Sequence, residues 1–323
     1  MAEISLNRLP QTAPAKRSFF TWLVGAESKF HAKDAVQGYL FALPWILGLI
    51  IFIAGPMLAS LYFSFTEYSV LDSPTWVGLD NYHKAFMGDD LFYTSLGRTF
   101  YYAILVVPLT LAGSLLLALL LNQRLFGRNI YRTLFFIPHL TLEVAMAVIW
   151  LWLLDPHLGP FNYVLKSIGL PEFPFLTDRD TVIPSLALIA FWAGVGGNRM
   201  LIFLAGLQGV PNDLYEAADI DGASVWSKFR HVTLPMISPT MLFNLILGII
   251  GAMKVFNIAF VATRGGPAYG SWFFALHIYQ QAFEFYRLGY GSALAWIFAV
   301  VLIVFTLVNL RISNRWVFYQ GES

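Results

Sequence analysis

The sequence predicts an all-α integral membrane protein with six transmembrane helices, and three observations carry that prediction. Apolar residues are gathered into blocks of roughly 20 or more, the length an α-helix needs to cross about 30 Å of hydrocarbon. Of the 323 residues, 58% are hydrophobic and only 12% are charged, whereas a soluble globular chain carries about 25% charged residues. No stretch between the blocks has the size or composition of a soluble domain. The net charge of +1 gives no electrostatic case for nucleic acid, and the absence of Cys excludes disulfides and thiolate metal sites.

Residues 1–35 form a polar, basic N-terminal tail with Arg8, Lys16, Arg17, Lys29 and Lys33. Within it, Ser18 to Ala26 is apolar behind Lys16 and Arg17, faintly like a signal peptide. Its core is short and a full span follows at once, so an interfacial helix on the cytoplasmic face is expected. The six spans fall at about 38–65, 99–121, 131–154, 183–207, 238–262 and 289–311. Pro44, Pro56, Pro108, Pro138 and Pro184 lie within or near span ends, where neighbouring helices tolerate them. The longest loops are roughly 66–98 and 155–182, and residues 313–323 make a short C-terminal tail.

Loop charges give an orientation. Twelve Lys and Arg residues fall in the N-terminal tail, the 122–132 loop (Arg124, Arg128, Arg132), the loop between spans 4 and 5 (Lys228, Arg230) and the C-terminal tail (Arg311, Arg315). The alternate loops hold six: Lys84, Arg98, Lys166, Arg179, Arg264 and Arg287. This twofold bias puts both termini in the cytoplasm.

Three charges remain inside spans: Glu143 near mid-depth of span 3, Arg199 in the cytoplasmic half of span 4, and Lys254 in the outer half of span 5. Each costs roughly 2.5–3.5 kcal/mol on insertion scales, so each should face protein or water and have a partner. They read either as the polar lining of a substrate path or as a structural ion pair between Glu143 and Lys254. Asn244, Gly248, Gly251 and Asn257 fall on the Lys254 side at helical spacing, able to line a cavity or to let helices approach. In span 4, Phe191, Trp192, Gly194, Gly196, Gly197 and Asn198 make a similar mixture.

Catalytic motifs are absent. There is no GxxxxGK[ST] loop to hold a nucleotide, no GxSxG elbow and no HxxxH or HExxH pair. The six histidines are scattered, and His139 and His231 read as structural. No catalytic residue and no metal site are expected.

Between spans 4 and 5 lies a polar island, Glu216 to Pro239, reading EAADIDGASVWSKFRHVTLPMISP. Asp213 stands three residues before Glu216 as an N-cap with capping-box spacing. Gly222 supplies positive φ to end the first helix, and Ser224 caps a second, short helix through Val232. Pro235 and Pro239 forbid smooth continuation into span 5, and Ala217, Ala218 and Ala223 offer a small, close-packing face. On shape alone this is a two-helix elbow, readable also as an ordinary amphipathic connector.

Glu216-Ala217-Ala218, three residues, Gly222, nine residues, then Val232-x-Leu234-Pro235 resembles the EAA signature of permease subunits of bacterial ATP-binding cassette importers. Val232 stands where that pattern usually has Ile. The fuller form is similar to the carbohydrate-importer branch, the relatives of maltose, lactose and glycerol-3-phosphate permeases. GLDNY at Gly78 to Tyr82, LAGLQGVP at Leu204 to Pro211 and Arg264-Gly-Gly-Pro267 agree with it. The resemblance covers about residues 36–312.

It implies a type I importer permease core (MetI-like) and a multi-pass subunit of a bacterial or archaeal plasma (inner) membrane, importing a sugar or sugar derivative by alternating access. The permease domain would span 36–312, with a coupling loop at 211–236 through which Glu216, Ala217, Ala218, Asp221 and Gly222 meet a cytoplasmic ATPase dimer. That dimer, not this chain, would bind ATP and Mg. The implied partners are a second permease subunit, giving a heterodimer, and an extracytoplasmic sugar-binding protein. Gly194, Asn198, Asn244, Gly248, Lys254 and Asn257 are the substrate-path candidates. The competing reading is a stand-alone secondary carrier with a Glu143–Lys254 charge relay; it should show an internal repeat, and spans 1–3 do not resemble spans 4–6.

Overall fold

The computed structural model describes residues 29–70, 72–123 and 126–318. The interfacial helix expected at Ser18–Ala26 and the last five residues of the C-terminal tail lie outside them. The chain divides between Ser60 and Leu61 into two units. In the first, helix α1 (Lys29–Leu49) passes through a π-helical turn at Ile50–Ala54 into helix α2 (Gly55–Ser64), whose last four residues belong to the second unit. Gly55 N–H reaches back five residues to the Ile50 carbonyl, just before Pro56. Proline has no N–H, and its ring collides with the carbonyl four residues back; a widened turn relieves the collision without breaking the rod. Gln37–Ser64 therefore remains one apolar span.

The second unit begins at Leu61 inside α2, and a minimal antiparallel ladder follows, β1 (Thr66–Glu67) against β2 (Thr75–Trp76), pairing Thr66 with Trp76. Helix α3 (Asp80–Met87) follows. The GLDNY sequence is an anchor here. Gly78 takes φ 64°, Asn81 Nδ2 donates to the Ser64 and Thr66 carbonyls at 3.0 and 2.8 Å, and the Tyr82 hydroxyl meets Ser64 Oγ at 2.7 Å.

Helix α4 (Asp90–Asn122) is 33 residues long and begins nine residues before the expected 99. Asp89 caps it by accepting from Leu91 N at 3.0 Å, and the added turns bury Phe92 and Ser95. Next come α5 (Arg128–Leu140), α6 (Glu143–Leu153) and the loop helix α7 (Pro160–Ser167). Then follow α8 (Val182–Gly194), α9 (Asn198–Gln208), and the elbow helices α10 (Asn212–Ile220), α11 (Val225–Lys228) and α12 (Leu234–Met236). The chain finishes with α13 (Ser238–Met253), α14 (Asn257–Ala262), α15 (Phe274–Tyr279) and α16 (Leu288–Ser313).

Among the described residues, four helices are long and apolar enough to cross a bilayer, and two bent pairs bring the number to six. The expected spans at 131–154 and 183–207 are those bent pairs, not straight helices: α5 and α6 meet at 92°, α8 and α9 at 52°. The first break is extended backbone at Thr141 and Leu142, just after Pro138; the second is the glycine-rich Val195–Gly197.

Helix α4 is the axis of this unit. Around one end, Tyr102, Val106 and Val107 pack with Leu186, Ile189, Met253 and Phe274; around the other, Leu115, Ala118 and Leu121 pack with Met200, Phe203, Leu207 and Ile237. Between apolar helices in lipid, association rests on close contact more than on hydrophobicity. In LAGLQGVP, a Cβ on Gly206 would stand 2.7 Å from Thr240 Oγ1, so glycine lets α9 and α13 meet.

A buried polar network ties three connections at one end. Trp272 Nε1–H donates to His277 Nδ1 at 3.2 Å, so His277 Nε2–H is the donor to Asp89 Oδ2 at 2.8 Å; Tyr290 donates to the same oxygen at 2.5 Å. Burial pushes the Asp89 carboxyl up, but the hydrogen bonds from His277 and Tyr290 outweigh it and hold the group at about 2.

Candidate functional site

Three interrupted helices open onto one cavity of about 360 Å³. Its wall includes Thr141 and Glu143 at the α5–α6 break, Gly194 and Arg199 flanking the α8–α9 break, Lys254, Val255 and Phe256 in the unwound stretch between α13 and α14, and Asn257 at the start of α14. Tyr102, Val106 and Thr110, at four-residue spacing on α4, form the facing wall. Irregular backbone survives at membrane depth only where protein or a water-filled space satisfies it, so the coincidence of breaks and cavity has a physical cause.

The sequence at the second break is explained by packing. A Cβ on Gly196 would overlap the Phe135 carbonyl oxygen, and one on Gly197 would lie 2.6 Å from the His139 ring. The glycines let α5 seat directly on the bend, and His139 thereby reaches the cavity wall.

Arg199 Nη1 donates to Thr110 Oγ1 at 2.8 Å, and Thr110 passes its own proton to the Val106 carbonyl at 2.7 Å. Glu143 opens α6, where the positive end of the helix favours a carboxylate. Its Oε2 accepts from Asn257 Nδ2 at 2.5 Å. Glu143 and Lys254 form no ion pair. Neither Arg199 nor Lys254 has an ion-pair partner among the described residues.

Of the residues singled out from the sequence, Glu143, Gly194, Arg199, Lys254 and Asn257 share this wall, joined by Gly251. Asn198, Asn244 and Gly248 are not on it. Asn198 is exposed at the start of α9. Gly248 faces α4 and the Arg199 guanidinium, where a Cβ would lie 3.5 Å from both Val107 and Arg199 Nη2. Asn244 is fully buried with neither amide atom hydrogen-bonded among the described residues. Depth counting had spread Glu143, Arg199 and Lys254 over different levels because it took the spans as straight. Tyr102, Thr110 and Thr141 were not anticipated, although the Tyr102–Val106–Thr110 spacing marks one helix face.

The elbow has the expected plan with two corrections. Helix α10 starts at Asn212 and its N-cap position is Pro211, so Asp213 lies in the first turn and caps nothing. Proline's fixed φ presets the turn one residue earlier. At the other end Gly222 has φ 72°, Ala223 N–H reaches the Ala218 carbonyl at 2.9 Å and Gly222 N–H the Asp219 carbonyl at 3.1 Å, a Schellman closure. Ser224 Oγ caps α11 by accepting from Ser227 N at 3.2 Å. Pro235 does not break the second arm: a π turn at Phe229–Thr233 precedes it, with Leu234 N–H on the Phe229 carbonyl. The arms are joined by Lys228 Nζ to Asp219 Oδ1 at 2.7 Å and by Tyr215 to Thr233 at 2.9 Å. Tyr215, Phe229 and Val232 seat the elbow on the second core cluster. Ala218 and Ala223 are half-buried, while Glu216, Ala217, Asp221, Gly222, Ile220, Val225 and Trp226 stand exposed.

The profile of binding-protein-dependent transport system inner membrane components matches residues 111–317. The chain is 36% identical over 300 residues to the probable ABC transporter permease protein YesP of Bacillus subtilis, covering 92% of this chain and 96% of that protein. It is 32% identical over 316 residues to the arabinooligosaccharides transport system permease protein AraP of the same organism, covering 97% and 96%. A chain of a bacterial ABC transporter involved in the import of the acidic polysaccharide alginate matches with a TM-score of 0.78 at 25% identity, over 88% of this chain and 96% of that one. The chain belongs to the family of binding-protein-dependent transport system inner membrane components. It is a multi-pass permease subunit of an ABC importer with the type I fold, not an enzyme, and the stand-alone carrier reading is set aside.

Proposed function

We propose that this permease forms half of the translocation path of an importer for a sugar or sugar derivative, driven by ATP and Mg bound in a separate ATPase dimer. The observation that carries the reading is the convergence of three interrupted helices on a single polar cavity. Relatives named for arabinooligosaccharides and alginate import support the cargo class. In this reading, residues 36–312 are the permease domain between cytoplasmic tails 1–35 and 313–323, and the loop-charge bias supports a cytoplasmic elbow. A second, different permease subunit completes the path, and an extracytoplasmic binding protein delivers the cargo.

The coupling loop 211–236 is the docking element for the ATPase, with Glu216, Ala217, Ala218, Asp221 and Gly222 at the contact. Ile220, Val225 and Trp226 support this role, because large apolar side chains exposed on a short polar loop fit a partner's cleft. The cavity residues Gly194, Lys254 and Asn257 contact cargo, while Asn198, Asn244 and Gly248 support the wall from behind. Glu216→Lys, measured in the reconstituted importer, is expected to cut cargo-stimulated ATP hydrolysis at least about tenfold while the subunits still copurify. Wild-type stimulation in that variant would remove the elbow from the coupling role.

A further inference from the structure

Resting on the reading that the cavity is the cargo path, we propose that the cargo carries an acid group, and that Lys254 and Arg199 recognise it. The cavity wall holds two fixed cations against one carboxylate, Glu143. That carboxylate accepts from the neutral amide of Asn257 and offsets only one of the two cations. Arg199 has a single neutral partner, the Thr110 hydroxyl, which leaves its charge uncompensated and its second terminal nitrogen beside the bare backbone of Gly248.

The Lys254 side chain has no hydrogen bond and no ion pair among the described residues. It also borders a groove between α13 and α16, lined by Ile250, Phe298, Leu302 and Leu307 with Thr306, which offers no carboxylate. Its only acidic neighbour on either wall is thus Glu143, so the wall carries one positive charge in excess. An unpaired cation in a membrane-embedded space is costly unless something anionic meets it. A guanidinium and an ammonium at one site suit a carboxylate or a phosphate, which accept several hydrogen bonds from such donors. Glu143 and Asn257, together at the same rim, suit sugar hydroxyls. The cargo class is an anionic saccharide, a uronic acid or a sugar phosphate.

The test uses the complete importer with its partner permease, ATPase and binding protein in proteoliposomes. ATP-dependent uptake of three probes is compared in wild type, Lys254→Met, Lys254→Gln and Lys254→Arg. The probes are a glucuronic-acid-terminated disaccharide, its neutral methyl ester and a hexose 6-phosphate. The same binding protein serves every variant, so its preference cancels in the ratio of variant to wild type. Uptake of an acidic probe should fall about tenfold more than uptake of the ester in Lys254→Met and Lys254→Gln, and recover in Lys254→Arg. A selective fall for the disaccharide assigns a carboxylate cargo, and one for the hexose 6-phosphate assigns a phosphate. Equal falls for acid and ester, or transport of the ester alone, would overturn the acidic-cargo inference and leave the sugar-importer reading standing. Absence of ATP-dependent uptake of all three probes would overturn both.

Discussion

Asn257 Nδ2 and Glu143 Oε2 meet at 2.5 Å across 114 positions of sequence, joining the first residue of α14 to the first residue of α6. The bond holds two interrupted spans together at their breaks. The pair is exposed, so screening cuts the bond below the about 1.5–3 kcal/mol of a shielded charged one. Asn257→Asp places a second carboxylate against the first. It should lower the unfolding midpoint of the purified importer by several degrees, whereas Glu143→Gln in that background should recover most of the loss. Failure of the double variant to recover stability would show that the two residues are not coupled.

Asp89 predicts an acid limb of stability. Its carboxyl sits at about 2 in the folded protein against 3.8 for the free group, so the unfolded chain binds the extra proton first. The stabilisation is complete above about pH 4 and is lost as pH falls through about 2, up to about 2 kcal/mol in all. Asp89→Asn should lower the midpoint at pH 7 and flatten its decline between pH 4 and pH 2. An unchanged acid slope in the variant would assign that slope to other carboxylates.

Gly196→Ala is expected to fail at assembly. Its new methyl group collides with the Phe135 backbone carbonyl, which no rotamer change can move, and overpacking of this kind costs about 1–3 kcal/mol or more. Gly251→Ala, whose Cβ meets nothing within 4 Å, is the matched control. Yields of intact importer after affinity purification compare the two, and equal yields would mean that the α5 contact yields easily.

Asn244 offers the opposite sign. A buried amide with both polar atoms unpaired forfeits about 1–3 kcal/mol, and leucine has nearly its shape. Asn244→Leu should therefore raise the unfolding midpoint and leave uptake intact. A loss of uptake with no gain in stability would show that the amide meets cargo during transport.

The span count was legible because apolar blocks of membrane length announce themselves, and the elbow was legible because Gly222 and Ser224 carry local backbone chemistry that long-range packing did not override. The breaks were not legible. Pro138 was visible but compatible with a straight helix, and nothing in the composition of Lys254-Val255-Phe256 marks an unwound turn. Without the breaks, Glu143, Arg199 and Lys254 fell at separate depths and their shared cavity was hidden. The early start of α4 was missed for a related reason: hydropathy begins near 99, whereas the helix begins where Asp89 caps it. Asn244 sat on the expected face, but the cavity ends short of it.

The turn after Pro235 has a mechanical result. Ile237 N–H bonds to the Thr233 carbonyl at 3.0 Å and Met241 N–H to the Ile237 carbonyl at 2.9 Å, so bonds of helical spacing flank Ile237 on both sides. Ile237 itself, at φ −90° and ψ 4°, is a one-residue turn between α12 and α13. Beside it, Ser238 Oγ accepts from Phe318 N at 2.8 Å. The C-terminal segment is thus tied to the one turn between the elbow and the helix that ends at Lys254, so the C-terminal end of this unit meets the chain at the joint beside the elbow.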